Sequence, residues 1–144
     1  RSVSAFLLNR SSDLEMAVDA TKGSYAPYSH FNVGAAVRLA DGSIVKGANQ
    51  ENAAYPSGLC AERTAMFAAG AQYPGVAIEA LAVVCARDGS LMLNPGSPCG
   101  ACRQVMAQYE RMAMKPMHII LGSGGPILVF DGVKTLMPLI FNDL

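Results

Sequence analysis

The sequence lacks an excess of charge of either sign: its 144 residues include 11 Lys and Arg and 11 Asp and Glu. A protein that binds nucleic acid needs positive charge to neutralise phosphates, so this balance disfavours a polynucleotide as substrate or partner. The sequence also lacks an apolar run of the roughly 18 residues that a membrane-spanning helix needs, and no membrane interaction is expected. We therefore expect a small neutral substrate.

Histidine is scarce as well. His30 and His118 are the only two, and neither has the spacing of a metal ligand. The four cysteines could form two disulfides, but their spacing suits metal ligation better, and nothing marks the chain as secreted. A cytoplasmic protein is the expectation.

The chain is expected to form a single domain, residues 1–144, because it contains no internal repeat, low-complexity tract or linker. Its composition, 51% hydrophobic and 15% charged, is that of a packed globular protein. Residues 12–15, Ser-Asp-Leu-Glu, have the pattern of a capping box that opens a helix ending near Gly23. The other predicted elements are helices at 60–71 and 99–112 and strands at 31–37, 44–45, 78–85, 117–121 and 127–130. This order predicts an α/β protein in which helices cover one mixed sheet.

Three cysteines, Cys60, Cys99 and Cys102, have the spacing of a catalytic zinc site. Cys99 and Cys102 are three residues apart, so in the first turn of a helix their sulfurs lie on one face. Cys60 is expected to open a second helix, and the N–H groups at both helix N-termini favour thiolate over thiol. Three thiolates can hold Zn²⁺ and leave a fourth position for water, as a catalytic zinc requires.

Glu62, two residues after Cys60, is the predicted catalytic acid and base. A carboxylate beside the metal can accept a proton from water, protonate a ring nitrogen and deliver a proton to departing ammonia. Because three thiolates leave net negative charge around Zn²⁺, Arg63 and Arg103 could donate hydrogen bonds to the sulfurs and offset it. A Cys₃ zinc site with a non-ligand Glu before a P-C-x-x-C pattern is typical of zinc-dependent deaminases of cytosine or adenine.

Two other interpretations of the cysteines remain open. A structural zinc site normally has four protein ligands, and Cys85 is available as the fourth, although its apolar surroundings are typical of a core residue. Cys99 and Cys102 could instead form a redox pair of the thioredoxin type, which would leave Cys60 and Glu62 without a role.

Five segments, residues 25–31, 33–36, 47–56, 60–65 and 97–104, carry a family resemblance. They read YAPYSHF, VGAA, GANQENAAYP, CAERTA and SPCGACRQ, in that order. With them the chain resembles the small, homotetrameric, zinc-dependent cytidine deaminases over nearly its full length. The resemblance implies a three-layer α/β/α fold with a five-stranded mixed sheet. It also implies an enzyme that hydrolyses the pyrimidine nucleosides cytidine and 2′-deoxycytidine to uridine and 2′-deoxyuridine, with release of ammonia.

The resemblance further implies roles for individual residues. One Zn²⁺ per subunit would be held by Cys60, Cys99 and Cys102. Glu62 would shuttle protons and, with the backbone carbonyl of Ala61, read the amino edge of cytosine. Asn49 and Glu51 would hydrogen-bond the ribose hydroxyls, and Phe31 would pack against the nucleoside.

Subunit assembly is also implied by the resemblance. In a homotetramer, Ala53 and Tyr55 would reach the sugar bound by a neighbouring subunit, so that assembly completes the active site. Phe141 ends the stretch at residues 137–141, which matches the Leu-Pro-x-x-Phe stretch of the family with Met in place of Leu. Its ring would stack on the base.

The chemistry of these side chains supports the assignment of the sugar contacts. A carboxylate and an amide two residues apart on a strand, as Glu51 and Asn49 would be, project to the same side and can bind a vicinal diol. Two alternatives remain: a deaminase of a modified nucleoside, such as the blasticidin-type enzymes, and a non-catalytic, zinc-stabilised assembly module. Glu62 argues against the module, because a structural site has no use for an acid or base beside the metal.

Overall fold

The structure, a computed structural model, describes residues 3–142, and the side chains from residue 10 onward. Its helices are α1 (Val3–Ala20), α2 (Ala61–Gln72) and α3 (Gly100–Ala113). Its strands are β1 (Phe31–Leu39), β2 (Ile44–Ala48), β3 (Ile78–Arg87), β4 (Ser90–Leu91), β5 (His118–Gly122) and β6 (Leu128–Asp131). None of the helices in this part of the chain is both long and apolar enough to cross a membrane.

One mixed sheet organises the fold. Its strands lie in the order β2-β1-β3-β5-β6, and the short β4 pairs with the last residues of β3. Neighbouring strands are antiparallel except β3 and β5, which are parallel and are connected through α3. A parallel pair needs such a crossover, whereas β1 and β2 can be joined by a tight turn. The predicted mixed sheet is confirmed, with β4 as a short addition.

The two faces of the sheet are covered by different helices. Successive residues of a strand point to opposite faces, so neighbouring residues belong to different cores. Val37, Leu81 and Ile119 pack in the larger core, with α2 and α3. Ala36 and Ala82 belong to a smaller core on the other face, with α1. The predicted three-layer α/β/α architecture is confirmed.

Close contact between β2 and α2 positions the site. At Gly47, a Cβ atom would lie 2.4 Å from the backbone nitrogen of Ala65 and 2.9 Å from the carbonyl oxygen of Ala61. Only glycine permits backbones to approach so closely. The first turn of α2 therefore lies directly on β2, next to the segment that follows β2, and Gln50 of that segment pairs with Leu59.

The prediction that a capping box at residues 12–15 opens the first helix is wrong. The helix α1 begins at Val3, and Asp13 lies in its middle with only 1% of its surface exposed. Both carboxylate oxygens of Asp13 accept hydrogen bonds from Arg38 Nε on β1, each at 3.2 Å. The aspartate therefore binds a strand and not a helix N-terminus, a tertiary contact that the local pattern does not contain.

Candidate active site

The sulfur atoms of Cys60, Cys99 and Cys102 converge to within 4.8 Å of one another. Cys60 and Cys99 are the N-cap residues of α2 and α3, and Cys102 lies in the first turn of α3. The Sγ–Sγ distances are 3.7 Å between Cys60 and Cys99 and 3.5 Å between Cys99 and Cys102. Tetrahedral zinc with Zn–S bonds of about 2.3 Å separates two sulfurs by about 3.8 Å, so this donor set fits zinc.

The cluster favours negative charge on Cys60. Its pKa is lowered to about 5, chiefly because Cys102 donates a hydrogen bond to it, and the Arg63 guanidinium adds to the effect. Arg63 Nη2 lies 3.7 Å from Cys60 Sγ, as predicted for a charge-offsetting arginine. The contact with Cys60 raises the pKa of Cys102. A metal ion among the sulfurs would take the place of the protons that the thiols share, because thiol ligands bind metals as thiolates.

Arg103 does not donate to the sulfurs in the structure. Its side chain donates to the carbonyl oxygens of Pro98 and Leu136 and to Ser97 Oγ. Two of these acceptors lie on the loop before Cys99, and the third lies in the segment after β6, so the three nitrogens of the guanidinium are all used outside the cluster. Arg63 is therefore the arginine that contacts a sulfur.

Glu62 is buried beside the sulfurs, with 5% of its surface exposed, and it lines the same cleft as Cys60. Burial raises the pKa of its carboxyl group, and the negative charge of Cys60 raises it further. A carboxyl group with a raised pKa can take up and release protons closer to neutral pH than an exposed one. This environment suits a general acid and base.

Cys85 stands apart from the other cysteines. Among the described residues, the group close enough to share an ion contains Cys60, Cys99 and Cys102 but not Cys85. Cys85 lies on β3 with 4% of its surface exposed, and burial raises the pKa of its thiol to about 11. Its sulfur packs so closely on Gly96 that a Cβ there would be 2.3 Å away. This environment is that of a core residue at the cleft and gives no support to a four-cysteine site.

A cleft of about 740 Å³ opens over these groups, a volume in the usual range for a small-molecule site. We call the group of Cys60, Cys99, Cys102 and Glu62 the metal end; all of them except the fully buried Cys102 line the cleft. We call Ser29, Asn49 and Glu51 the polar wall. The predicted site residues that line the cleft are Phe31, Asn49, Glu51, Tyr55, Cys60, Ala61, Glu62 and Cys99.

The side chain of Asn49 is held by three hydrogen bonds within the protein. Its Oδ1 accepts from the Val33 backbone N–H at 2.8 Å and from Ser24 Oγ at 2.5 Å. Its Nδ2 donates to the Phe31 carbonyl oxygen at 2.8 Å. One N–H of the amide remains for a ligand, because the NH₂ group carries two donors. The prediction that Asn49 and Glu51 lie on one strand is wrong, because β2 ends at Ala48 and both residues follow it.

Glu51 is held by the loop before β1. Its Oε2 accepts from the backbone N–H groups of Tyr28 and Ser29 at 2.9 and 3.3 Å, and its Oε1 accepts from Ser29 Oγ. The Ser29 hydroxyl lowers the pKa of Glu51 most, and the two backbone groups lower it further. A carboxylate has about four acceptor sites, so with three donors bound, about one remains for a ligand.

Aromatic rings border the polar wall. Phe31 lines the cleft, with the guanidinium of Arg87 5.7 Å from its ring centroid, on the side of the ring face. Tyr28 and Tyr55 pack edge to face, with ring centroids 6.3 Å apart, and Tyr55 is 78% exposed. These rings give the cleft an apolar border suited to a flat ligand.

Two of the predicted substrate contacts lie outside the cleft formed by this chain. Ala53 is exposed and does not line it. Phe141 is 65% exposed, and its carbonyl oxygen accepts a hydrogen bond from Gln104 on the surface of α3. The contact of Phe141 with a base therefore finds no counterpart within the described part of a single chain.

The cleft is also lined by residues that sequence reasoning did not assign to the site, among them Tyr28, Ser29, Cys85 and Ser97. Tyr28, Ser29 and Ser97 lie in segments that carry the family resemblance, which is the signal that could have found them. Cys85 had no such signal, because a cysteine in an apolar strand has the pattern of any core residue.

Comparisons with known proteins agree with this geometry. The family model described as "Cytidine and deoxycytidylate deaminase zinc-binding region" matches residues 9–116. A cytidine deaminase of Halalkalibacterium halodurans is 45% identical over 101 residues, which are 70% of this chain and 72% of that protein. A cytidine deaminase of Sporosarcina psychrophila is 50% identical over 101 residues, which are 69% of this chain and 68% of that protein.

A solved structure shares the fold. The crystal structure of a cytidine deaminase from Burkholderia pseudomallei superposes with a TM-score of 0.77 and 39% sequence identity. The match covers 90% of this chain and 97% of that one. The similarity therefore extends over nearly the whole fold.

Proposed function

Because the chain belongs to the family of the cytidine and deoxycytidylate deaminase zinc-binding region, we propose that it hydrolyses cytidine and 2′-deoxycytidine. Water and the nucleoside would give uridine or 2′-deoxyuridine and ammonia. The observation that carries the proposal is the convergence of three sulfurs at zinc-ligand spacing with a buried carboxyl group, Glu62, in one cleft.

Zinc would be held by Cys60, Cys99 and Cys102, and when bound it would lower the pKa of a water molecule and so make it nucleophilic near neutral pH. Glu62 would accept a proton from that water molecule while the water oxygen forms a bond to C4 of the cytosine ring. The same carboxyl group would pass this proton to ring N3. It would then take the second proton from the oxygen now bound to C4 and deliver it to the amino group as the C4–N bond breaks, which leaves the C4 carbonyl of the product and ammonia. Its raised pKa supports this exchange, because the group must be able to hold a proton as well as release it.

The base would be oriented by Ala61 and Phe31. The carbonyl oxygen of Ala61 would accept a hydrogen bond from the amino group of cytosine, together with the carboxylate of Glu62. Phe31 would pack against the nucleoside. Ala61 is buried and, like Phe31, lines the cleft, which supports both roles.

The sugar would be bound by the polar wall. Asn49 has one free N–H, and Glu51 has about one free acceptor site, because their other atoms are bound internally. A hydroxyl group both donates and accepts, so this pair can satisfy one sugar hydroxyl fully, and not both hydroxyls of the vicinal diol that the sequence led us to expect. A wall that needs a single hydroxyl supports activity on the deoxynucleoside as well as the ribonucleoside.

Assembly of four subunits is part of the proposal. Tyr55 and Phe141 are 78% and 65% exposed, and Ala53 is exposed near Tyr55 in sequence. Exposed residues of this kind are available to contribute to a cleft on a neighbouring subunit. Analytical ultracentrifugation of the zinc-loaded protein would test the tetramer.

A cytoplasmic location is supported by the four free thiols, three of which must stay reduced to hold a metal.

The reaction is tested by incubating zinc-loaded protein with cytidine and measuring ammonia release, with Glu62→Ala as the control. The expected result is release by the wild-type protein and its loss in a variant that still contains zinc. Full activity in Glu62→Ala would contradict the mechanism. No release by the zinc-loaded wild-type protein would contradict the proposed reaction and favour a modified nucleoside or a non-catalytic zinc protein.

A further inference from the structure

Three segments of the chain meet at the side chain of Arg103 on α3. Its Nε donates to the Pro98 carbonyl oxygen at 2.8 Å, and its Nη2 donates to Ser97 Oγ at 2.7 Å. Its Nη1 donates to the carbonyl oxygen of Leu136. Ser97 lines the cleft, and Pro98 is buried immediately before Cys99 of the metal end. The Arg103 guanidinium thus joins Ser97 of the cleft lining, the Pro98 peptide before a predicted zinc ligand and a distant part of the chain.

The distant part is the C-terminal segment, which we define as residues 133–142. At its start, the Val133 backbone N–H donates to Glu110 Oε1 at 2.8 Å. Near its end, the Phe141 carbonyl oxygen accepts from Gln104 Nε2 at 2.6 Å. Glu110 and Arg103 are seven residues apart, so they lie two turns apart on one face of α3. The C-terminal segment therefore runs along α3 toward its first turn, where the metal end lies.

We propose that Arg103 is a positioning residue through which the C-terminal segment holds Ser97 and the Pro98 peptide at the edge of the cleft. The planar guanidinium directs three donors at once in fixed directions, and each bond limits the movement of the other two segments. The peptide that leads into Cys99 is thereby oriented from outside the metal end. This inference rests on the proposed function for its activity readout but not for its metal readout.

Lysine is the informative replacement for Arg103. It keeps the positive charge and a long side chain, but its ammonium is a point donor that cannot reproduce three directed bonds in a plane. Arg111 provides the matched control, because it lies in the last turn of the same helix with its side chain exposed. Arg111→Lys makes the same chemical change far from the segments that Arg103 joins.

The experiment compares zinc-loaded wild-type protein, Arg103→Lys and Arg111→Lys. It measures the rate of zinc transfer to a chromogenic chelator, and kcat and KM for cytidine. For Arg103→Lys we expect zinc transfer to be about tenfold faster and kcat/KM to be about tenfold lower, as is usual for groups that orient metal ligands. Arg111→Lys should stay within about twofold of wild type on both measures. Values for Arg103→Lys within the same twofold range would overturn the proposal.

A role in stability alone is distinguished by a double-mutant cycle with Ser97. If Arg103 acts on substrate affinity by holding Ser97, the single variant Ser97→Ala should raise KM. The double variant, with Arg103→Lys and Ser97→Ala, should then have the same KM as Arg103→Lys alone. Effects on KM that simply multiply would overturn the proposal. Ser97→Thr retains the hydroxyl and should restore the wild-type KM. If Arg103→Lys does not fold, the two Ser97 variants decide: equal KM values in both would overturn the proposal.

The metal readout separates this proposal from the proposed function. If the wild-type protein released no ammonia from cytidine, the reaction would be wrong. Faster zinc transfer from Arg103→Lys than from Arg111→Lys would still support the positioning role, and equal rates would overturn it.

Discussion

The metal end and the polar wall of the cleft differ in what their polar groups bind: an ion at the metal end, and neighbouring parts of the chain at the polar wall. At the metal end, three sulfurs lie within 4.8 Å of one another, and Glu62 is buried with a raised pKa. These groups are arranged for an ion and for proton transfer. At the polar wall, Asn49 and Glu51 already make three hydrogen bonds each to neighbouring parts of the chain. The wall is therefore ordered by the protein itself, before a ligand binds.

We therefore assign the chemical step to the metal end and the orientation of the substrate to the polar wall. Loss of a group at the metal end should remove the ion or the proton carrier, for which the cleft has no substitute. Loss of a group at the polar wall should weaken the hold on the sugar while the chemistry continues. Changes at the metal end should therefore abolish the reaction, and changes at the wall should reduce it by degrees.

The largest effect is expected from Cys102→Ala. Removing one of three sulfurs should lower the zinc content from one per chain to a small fraction, and activity should be lost with it. Metal analysis of the purified protein measures the change. Cys85→Ala is the control, since Cys85 is an equally buried cysteine outside the cluster, and it should keep its zinc. Stoichiometric zinc in Cys102→Ala would contradict the ligand assignment.

Glu62→Gln should come next, because it keeps the size of the side chain and removes its proton transfer. We expect kcat to fall by about 10³-fold or more, since general acid–base catalysis contributes about 10²–10⁴-fold. Zinc content should stay at one per chain, and both can be measured on one preparation. A variant with normal kcat would show that the proton passes through another group.

At the polar wall, Glu51→Gln should have an intermediate effect. The neutral amide loses the charge that accepts hydrogen bonds from the loop and from a sugar hydroxyl, and we expect kcat/KM for cytidine to fall roughly tenfold or more. Zinc content should not change, because Glu51 is not part of the cluster. Loss of zinc in this variant would mean that the two parts of the cleft are not independent.

Ser24→Ala should have a smaller effect, since it removes one of the three hydrogen bonds of Asn49. The expected cost is about 1 kcal/mol in the free energy of unfolding, because Ser24 donates one partly buried hydrogen bond. Asn49→Ala, which removes all three, should cost about 2–3 kcal/mol. Urea unfolding measures both values. Equal costs for the two variants would contradict the view that Asn49 holds several segments together.

The smallest effect concerns pH. Hydrogen bonds lower the pKa of Glu51 below its ordinary value of 4.5. The stabilisation they provide is therefore present above that pH and is lost as pH falls through the lowered pKa. The amide proton resonances of Tyr28 and Ser29 should titrate with a midpoint below 4.5, and Ser29→Ala should move the midpoint back toward 4.5. Resonances that do not titrate would contradict these bonds in solution.

Much of the metal end could be predicted from the sequence. Cys99 and Cys102 are neighbours on one helix turn, so local geometry brings their sulfurs together. Glu62 follows Cys60 by two residues, and its role was predicted from the deaminase motif. Only the meeting of Cys60 with Cys99, 39 residues away, required the fold. The sequence likewise predicted five of the strands and one mixed sheet covered by helices. The three-layer architecture that the family resemblance implies is confirmed.

Tertiary structure decided the features that depend on partners distant in the sequence. Residues 12–15 have the local pattern of a capping box, but they lie within α1, and Asp13 binds Arg38, 25 residues away. Arg103 has the position of a sulfur donor but bonds to Leu136, 33 residues away. A side chain with several possible partners takes the one that packing brings within hydrogen-bond distance. The sequence by itself therefore determined the residues of the metal end, because their chemistry is local. Only the fold decided what holds them and the polar wall in place, because those bonds join segments that meet through packing.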